Sequence, residues 1–185
     1  MDSPELASSR LLLRRFTAAD GPSLHAYLSQ PEAVTFEPYG VIDAQEADRW
    51  AERRAVDPAF WAICLRDGGE LIGNLYLASV APPDWRTWEL GYVLSPDHWG
   101  RGYATEAATR LLDACFGAWG AHRVTASCDV GNTASWRLLE RLGFRREGHV
   151  LAGSSFHQDA EGRPIWKDDY LYAVLDREWQ DVRTR

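Results

Sequence analysis

The chain has 185 residues, which is enough for one domain with a sizeable hydrophobic core. Its net charge of −7 argues against general nucleic-acid binding, and every apolar run falls short of the roughly 18 residues that span a membrane. Three widely spaced cysteines, Cys64, Cys115 and Cys128, form neither a disulfide framework nor a CxxC metal pair. We therefore expect a cytoplasmic protein with no secretory signal, no membrane partner and no metal site.

The N-terminal third predicts one strand and two helices. Residues 11–16 begin with three leucines and predict a first strand. A helix is predicted over residues 17–29, because Thr17 and Asp20 form a weak capping box and Pro31 disfavours helix just before it. A second helix is predicted over residues 43–56, where an Asp and a Glu three residues apart mark its start.

The middle of the chain predicts three strands, over residues 60–66, 70–80 and 87–94. The first two are joined by Asp67-Gly68-Gly69, and this glycine pair favours the tight turn of a hairpin. A loop rich in Pro, Asp and Gly follows over residues 95–102.

The remainder predicts two helices and three strands. Residues 102–117 place Ala, Leu, Cys and Phe on one helical face, and residues 132–142 predict a helix that stops at a glycine. Strands are predicted over residues 123–128, 144–156 and 165–175.

The order of these elements predicts one α/β (α+β) domain over residues 8–180, with residues 1–7 and 181–185 as flexible termini. We expect a mixed, mostly antiparallel sheet of about seven strands, flanked by about four helices.

A glycine-rich turn, Trp99-Gly100-Arg101-Gly102-Tyr103-Ala104, joins a predicted strand to a predicted helix. The first N–H groups of a helix have no partners within the helix and carry partial positive charge, so such a turn can bind an anion. Gly100 and Gly102 let a phosphate approach the backbone closely, and Arg101 adds a positive side chain. The turn therefore predicts a site for a phosphate-bearing ligand, although a bare Gly-x-Gly marks a simple turn equally often.

Two other phosphate-binding motifs fit this turn poorly. A Walker A loop requires GxxxxGK[ST], and no lysine stands here. The dinucleotide fingerprint GxGxxG fails at its third glycine, where Thr105 stands, and its strand should open a βαβ unit, whereas three or four strands precede this one. An oxidoreductase with a nucleotide cofactor is therefore the weakest alternative.

Residues 98–107, His-Trp-Gly-Arg-Gly-Tyr-Ala-Thr-Glu-Ala, resemble the coenzyme A-binding motif of the GNAT N-acetyltransferases. The resemblance is greatest to the branch that includes the ribosomal-protein N-terminal acetyltransferases RimJ and RimL. In the motif (Q/R)-x-x-G-x-(G/A), Gly102 and Ala104 match, while Trp99 replaces the leading Gln or Arg, as is familiar in this branch.

Four further segments resemble the same branch and occur in the family's order, so that the resemblance extends from about Arg10 to Trp179. They are Arg10-Leu11-Leu12-Leu13-Arg14, Glu70-Leu71-Ile72-Gly73, Glu89-Leu90-Gly91-Tyr92, and Asn132-Thr133-Ala134-Ser135 with Glu140-Arg141-Leu142-Gly143-Phe144. The resemblance implies a single GNAT-type domain that uses acetyl-CoA as cosubstrate, without a metal, and it allows a homodimer.

The resemblance also implies which residues bind the coenzyme. Backbone N–H groups of residues 100–105 would bind the pyrophosphate, and the strand of residues 89–94 would part from that of residues 123–128 to admit the pantetheine arm. Asn132 would bond the pantetheine, and Ser135, on the same helical face, would reach its sulfur end. The implied binding residues are Tyr92, Val93, Leu94, Trp99, Gly100, Arg101, Gly102, Tyr103, Ala104, Thr105, Asn132 and Ser135.

Acetyl transfer requires a neutral amine, which costs about 4–5 kcal/mol at pH 7 for a lysine-like amine and about 1–1.5 kcal/mol for an α-amine. A general base therefore helps a side-chain amine more than a terminal one. The resemblance nominates Glu89 as catalytic base, and a partner for an arginine is the competing interpretation. Asp168 and Asp169 on the last predicted strand are reserve candidates.

The acid that protonates the departing thiolate is less evident. Many family members use a tyrosine at the place where this chain has Leu139. Ser135 is the predicted replacement, against the alternative of a helix-surface serine. Cys128 as a ping-pong nucleophile, His98 as a base and His157 as a substrate contact are weaker interpretations.

The acceptor would lie opposite the coenzyme, between the two N-terminal helices and the hairpin of residues 144–175. Residues 1–100 carry a net charge of −7 and residues 101–150 one of +2, so a cationic amine suits the first part and a phosphate the second. The aromatic residues expected near the acceptor are Phe36, Tyr39, Trp50, Trp85 and Trp88.

Taken together, the sequence predicts an acyl-CoA-dependent N-acetyltransferase that acts directly on a protein N-terminus or a small-molecule amine. Because the usual tyrosine is missing, a non-catalytic coenzyme A-binding or sensor module is the alternative.

Overall fold

A single mixed sheet of eight strands organises the computed structural model, which describes residues 5–80 and 82–184. The strands are β1 (Leu6–Ala7), β2 (Leu11–Arg14), β3 (Phe60–Leu65), β4 (Leu71–Val80), β5 (Thr87–Leu94), β6 (Arg123–Asp129), β7 (Arg145–Gln158) and β8 (Pro164–Leu175). The helices are α1 (Gly21–Leu28), α2 (Pro31–Val34), α3 (Ala44–Val56), α4 (Tyr103–Gly117), α5 (Thr133–Arg141) and α6 (Asp176–Thr184).

The strand order across the sheet is β1-β2-β3-β4-β5-β6-β8-β7. Neighbouring strands are antiparallel except for β5 and β6, which are parallel and are connected through the crossover helix α4. This one parallel pair lies near the centre of the sheet, with antiparallel strands on both sides.

Helices cover both faces of the sheet. Along β3, Trp61 and Ile63 pack into a core shared with α4, α5 and α6, whereas Ala62 and Cys64 pack into a second core with α1, α2 and α3. This alternation follows from the two-residue period of a strand that is buried on both faces. Within the part of the chain that the structure describes, no helix has the length and apolar character needed to cross a bilayer.

The predicted fold class is confirmed, with eight strands in place of about seven and six helices in place of about four. The additional elements are β1, α2 and α6. Helix α6 is mostly polar, but Trp179 is buried, stacks on Phe116 at 5.9 Å between ring centroids and donates from Nε1 to Asp113 Oδ1 at 3.0 Å. One buried tryptophan therefore fixes this terminal helix to α4.

Several element ends differ from prediction. The helix predicted over residues 17–29 begins with a short 3₁₀ turn, Ala18–Asp20, before α1, although the expected bond from the Thr17 N–H to the Asp20 carboxylate is present at 2.7 Å. Pro31, expected to end a helix, also begins α2. At the termini expected to be flexible, Leu6–Ala7 pairs with β2 and α6 extends through Thr184, while residues 1–4 and 185 lie outside the described residues.

Candidate active site

The site forms where β5 and β6 part. The two strands pair only from Thr87–Glu89 to Arg123–Thr125. Beyond that point β5 continues along β4 as far as Leu94, and β6 continues along β8 as far as Asp129. The sheet therefore opens between the C-terminal halves of the two parallel strands, as the motif resemblance implied.

The glycine-rich turn lies at the open end of β5. Gly100 and Gly102 have positive φ angles of 74° and 78°, a conformation that disfavours any residue with a Cβ atom. Helix α4 begins directly after Gly102, so the N–H groups of its first turn lack partners within the helix. The Trp99 indole donates from Nε1 to the Leu94 carbonyl at 2.9 Å and fixes the turn to the end of β5.

The acidic side chain in the first turn of α4 is directed away from this turn. Glu106 accepts from the hydroxyls of Ser8 at 2.7 Å and Ser9 at 2.9 Å, and from the backbone N–H of Arg10 at 2.8 Å. The Arg10 side chain adds an ion pair at 2.6 Å and donates to the Arg101 carbonyl at 3.0 Å. Burial disfavours the ionised carboxylate, but these bonds outweigh burial and lower the pKa of Glu106 to about 2.

A cleft of about 790 Å³ runs along the turn and the gap, a size that suits a small-molecule ligand. Eleven of the twelve predicted coenzyme-binding residues line it, and Arg101, which is exposed, is not among its lining residues. Those that line it are Tyr92, Val93, Leu94, Trp99, Gly100, Gly102, Tyr103, Ala104, Thr105, Asn132 and Ser135.

The cleft suits a phosphate-bearing ligand on local grounds. A Cβ atom at Gly100 would meet nothing within 4 Å, so the space over the turn is open. His98, a weak base candidate in the sequence, is buried in the cleft wall, and among the described residues its Nδ1 has no hydrogen-bond partner. Arg141, at the end of α5, also lines the cleft and supplies the positive charge that was expected from Arg101.

A second cavity, of about 500 Å³, lies between α3, β4, β5 and the segment that joins α2 to α3. Its walls combine aromatic rings with two acidic and two basic side chains. Tyr39 meets Trp50 edge-on at 4.7 Å, and Phe60 lies 5.2 Å from Tyr76. At one side lies Arg54, which is 5% exposed and has its guanidinium 4.6 Å from the Phe60 ring centroid.

The two cavities meet at three residues, Glu37, Tyr92 and Val93, each of which lines both. Tyr92 and Val93 lie on β5 at the opening of the sheet. Glu37 lies between α2 and α3, in a stretch without regular secondary structure, and sequence reasoning missed it.

Tyr92 and Ser135 form a hydrogen-bonded pair at the cleft wall. The Tyr92 hydroxyl lies 2.8 Å from Ser135 Oγ and 3.1 Å from the Ser135 carbonyl oxygen. Burial raises the pKa of Tyr92 above its ordinary value, with the Ser135 bond partly offsetting this, so the phenol keeps its proton at neutral pH. Leu139, at the family's usual tyrosine position, is fully buried in the core.

Three other candidates from the sequence, Cys128, Asp168 and Asp169, lie in surroundings that favour a structural role over a catalytic one. Burial raises the pKa of the Cys128 thiol to about 11, with its Ser135 bond partly offsetting this, and a neutral thiol is a poor nucleophile. Asp168 bonds His149 at 3.0 Å and the Ala152 N–H at 2.9 Å, and Asp169 accepts from Ser154 at 3.2 Å. These carboxylates hold the β7–β8 hairpin together.

Glu89 lies at the vertex of the opening, in the last residue pair that joins β5 to β6. It is half-buried and is not among the lining residues of either cavity, although Gly91, two residues further on, lines the second.

The aromatic residues expected near the acceptor divide between several places. Tyr39 and Trp50 line the second cavity, and Phe36 lines the cleft. Trp88 instead packs against Trp119 at 6.0 Å, and Trp85 is exposed at a separate surface. Trp85 lies in a short 3₁₀ turn just before β5 and Trp88 near the start of the strand, at the end away from the opening.

Comparisons with known proteins agree with this architecture. Residues 10–145 match the family described as Acetyltransferase (GNAT) domain. The chain is 31% identical over 175 residues to the uncharacterized N-acetyltransferase YnaD of Bacillus subtilis, covering 94% of this chain and 98% of that protein. It is 26% identical over 171 residues to a spermidine N(1)-acetyltransferase of Vibrio cholerae, covering 89% and 97%.

Among solved structures, an acetyltransferase of the GNAT family from Bacillus anthracis superimposes with a TM-score of 0.83 at 28% identity, covering 94% of this chain and 99% of that one. Fold and site thus define an acetyltransferase. The chain belongs to the GNAT acetyltransferase family, as its motifs predicted.

We predict that Glu106→Gln lowers the free energy of unfolding by about 1–3 kcal/mol at pH 7, because the carboxylate loses its charge-assisted bonds. Because the pKa of Glu106 is lowered to about 2 in the folded state, its carboxylate stabilises the fold at pH values above the ordinary carboxyl pKa. This stabilisation is lost progressively as pH falls from that ordinary value towards 2. Urea unfolding should therefore show a smaller difference from wild type at about pH 3 than at pH 7. Glu52→Gln, on the exposed face of α3, is the control, and an equal loss at both pH values would contradict the account.

We predict that Gly102→Val raises the Kd for coenzyme A about tenfold or more, an effect of roughly 1.4 kcal/mol, because a side chain at this positive φ strains the turn and moves its N–H groups. Gly162→Val is the matched control, since Gly162 has the same φ of 78° in the distant β7–β8 turn. Calorimetric titration should show weakened binding only for the first variant. Unchanged affinity would falsify the pyrophosphate assignment.

Proposed function

We propose that the protein is an acetyl-CoA-dependent N-acetyltransferase that transfers the acetyl group directly to an amine bound in the second cavity. The observation that carries this proposal is the meeting of the two cavities at Glu37, Tyr92 and Val93, the last two on the part of β5 beyond its final pairing with β6 at Glu89. A donor in the cleft and an acceptor in the second cavity can approach each other only there. Direct transfer requires this arrangement.

For the donor side, the proposed pyrophosphate site consists of the N–H groups of residues 100–105, with Arg141 as a nearby cation. The backbone of Tyr92, Val93 and Leu94 would bond the pantetheine arm, because β5 lacks its neighbour β6 along this stretch. Asn132 uses its Oδ1 to cap α5, accepting from the Ser135 N–H at 3.1 Å, which leaves its amide N–H groups for the arm. Acetyl-CoA supplies the thioester that is attacked.

For the departing thiolate, we propose Ser135 as the hydrogen-bond donor, with Tyr92 behind it. The Tyr92 hydroxyl is in reach of Ser135 Oγ, so it can return a proton as Ser135 donates one. This pair would perform the task of the tyrosine that the family usually has at the position of Leu139. Cys128, held as a thiol, takes no part as a nucleophile.

For the acceptor, the second cavity favours an amine with an apolar portion. Aromatic rings can contact the apolar portion and attract a cation through their faces. The carboxylates of Glu37 and Asp57 can pair with the amine, although Arg53 and Arg54 line the same cavity and equal them in number. A small-molecule amine and a protein N-terminus both fit this description, and one relative is named for spermidine. Glu89 at the vertex would act on the amine through water, as the family resemblance implies.

The finer assignment, to the RimJ/RimL-like branch of cytoplasmic acetyltransferases, rests on the five ordered segments and on Trp99 at the start of the motif. In this structure that tryptophan has a clear task, since its indole fixes the glycine turn to β5.

The test of the proposed function is release of free thiol from acetyl-CoA over a panel of amines. The panel contains spermidine, a peptide with a free N-terminal alanine, and an aminoglycoside. We expect at least one amine to raise thiol release well above the rate without amine. If none does while acetyl-CoA still binds, the result counts sharply against the enzyme and favours the non-catalytic coenzyme A-binding alternative.

We predict that Ser135→Ala lowers kcat roughly 10²-fold and that Tyr92→Phe lowers it by a similar factor, with the KM for acetyl-CoA little changed. Because the two hydroxyls act as a unit, the double variant should lose little more than either single variant. Ser127→Ala, at an exposed position on β6, is the control. Multiplicative losses in the double variant would show that the hydroxyls act independently.

A further inference from the structure

The acceptor amine must lose a proton, and one carboxylate is placed between donor and acceptor. Among the described residues, Glu37 is the only acidic side chain that lines both cavities. Glu32 lines only the cleft, and Asp57 lines only the second cavity. Glu37 is therefore positioned where the amine nitrogen and the thioester must meet.

The segment that carries Glu37 is fixed on both sides although it has no regular secondary structure. The Glu37 N–H donates to the Val34 carbonyl at 3.0 Å, and the Thr35 hydroxyl donates to the Pro31 carbonyl at 2.9 Å. His157 from β7 lies 3.3 Å from the Thr35 carbonyl oxygen. On the other side, Tyr39 packs edge-on against Trp50. These contacts hold the carboxylate in one place rather than on a free loop.

The surroundings of Glu37 suit a base at neutral pH. Burial raises its pKa to about 7, and the Tyr39 hydroxyl and the Arg54 guanidinium partly offset the effect of burial. The groups that sense its charge are Tyr39 on its own segment, Tyr27 of α1, Arg54 of α3 and Tyr92 of β5. Arg53 and Asp57 at the end of α3 and Tyr76 of β4 line the same cavity.

We propose that Glu37 is the general base that removes the proton from the acceptor amine. This inference rests on the proposed function. An ammonium proton passes to the Glu37 carboxylate, and the freed nitrogen lone pair forms the N–C bond to the acetyl carbonyl carbon. As the C–S bond breaks, the electron pair leaves with sulfur, which takes a proton through Ser135. The new amide nitrogen releases its extra proton to solvent, the Ser135–Tyr92 pair regains one proton from solvent, and Glu37 later releases its own proton to solvent.

Glu37 has an advantage over Glu89 in position. A general base must lie within hydrogen-bond reach of the proton or one water away. Glu37 lines the space in which the amine would bind, whereas Glu89 lies at the vertex of the strands and lines neither cavity. We therefore assign the first proton transfer to Glu37 and leave Glu89 a smaller, water-mediated contribution.

The experiment compares pH–rate profiles of thiol release for wild type, Glu37→Gln, Glu89→Gln and the control Glu52→Gln. The amine is the one of spermidine, the alanine-terminated peptide and the aminoglycoside that gives the highest wild-type rate. We expect the wild-type rate to rise through about pH 7 and Glu37→Gln to lose roughly 10²–10⁴-fold there. Its loss should shrink at higher pH, where the ammonium loses its proton unaided, and its KM for acetyl-CoA should stay within about twofold of wild type.

Stability supplies a readout that does not depend on turnover. A carboxyl whose pKa is raised in the folded state destabilises the fold as pH rises from its ordinary range to about 7. Glu37→Gln should therefore have a higher Tm than wild type at pH 8 and an equal Tm near pH 4.5. Glu52→Gln should show no such change.

A wild-type rate and pH profile for Glu37→Gln would overturn the inference while leaving the proposed function intact. If the pH–rate profile lost its rise in Glu89→Gln but kept it in Glu37→Gln, the inference would also be overturned, and the general base would be assigned to Glu89. Equal Tm values for wild type and Glu37→Gln at both pH values would contradict the buried carboxylate. Wild-type protein that releases no thiol with any amine would instead overturn the proposed function.

Discussion

The parting of β5 from β6 is the constraint on which the site depends. Strand β5 is held by β4 over its whole length, and a Cβ atom at Gly73 would lie 2.4 Å from the Val93 carbonyl oxygen, so the two strands approach closely. Strand β6 is held by β8 with equal continuity. Each of the parallel strands thus follows its antiparallel neighbour, and the sheet opens between them after Glu89. The gap exposes backbone groups inside the fold without leaving a free sheet edge at the surface.

Residues 8–10 support the glycine turn at this opening and keep its N–H groups available for an anion. A glutamate in the first turn of a helix would normally compete with a ligand for the positive end of the helix. Here Glu106 is satisfied by the Ser8–Arg10 stretch, and Arg10 also binds the Arg101 carbonyl. The first strands of the chain and the start of α4 therefore support the same turn, and the N–H groups of that turn remain available.

Local sequence signals were sufficient for most of the fold, whereas the residues of the cleft followed from the family resemblance. Strand β5 was predicted at its observed bounds, and Asp43 caps α3 as expected, accepting from the Glu46 N–H at 2.8 Å. Glu37 was missed because its surroundings come from α3, β5 and the β7–β8 hairpin, which are distant in sequence. Arg54 has a helix-surface pattern in the sequence but is buried against aromatic rings. Arg141 lines the cleft and Arg101 does not, because a motif gives spacing and not side-chain direction.

The two cavities draw on different stretches of the chain. The cleft wall comes mainly from the turn after β5 and from the start of α5, whereas the second cavity is built largely from residues 37–60 and β4. Only Glu37, Tyr92 and Val93 belong to both. Substitutions in α3 can thus reshape the second cavity while the lining of the cleft stays the same, whereas the segment before α3 contributes to both. If the cleft holds the donor and the second cavity the acceptor, as proposed, this division would let a lineage diversify its acceptors around a donor site that is inherited unchanged.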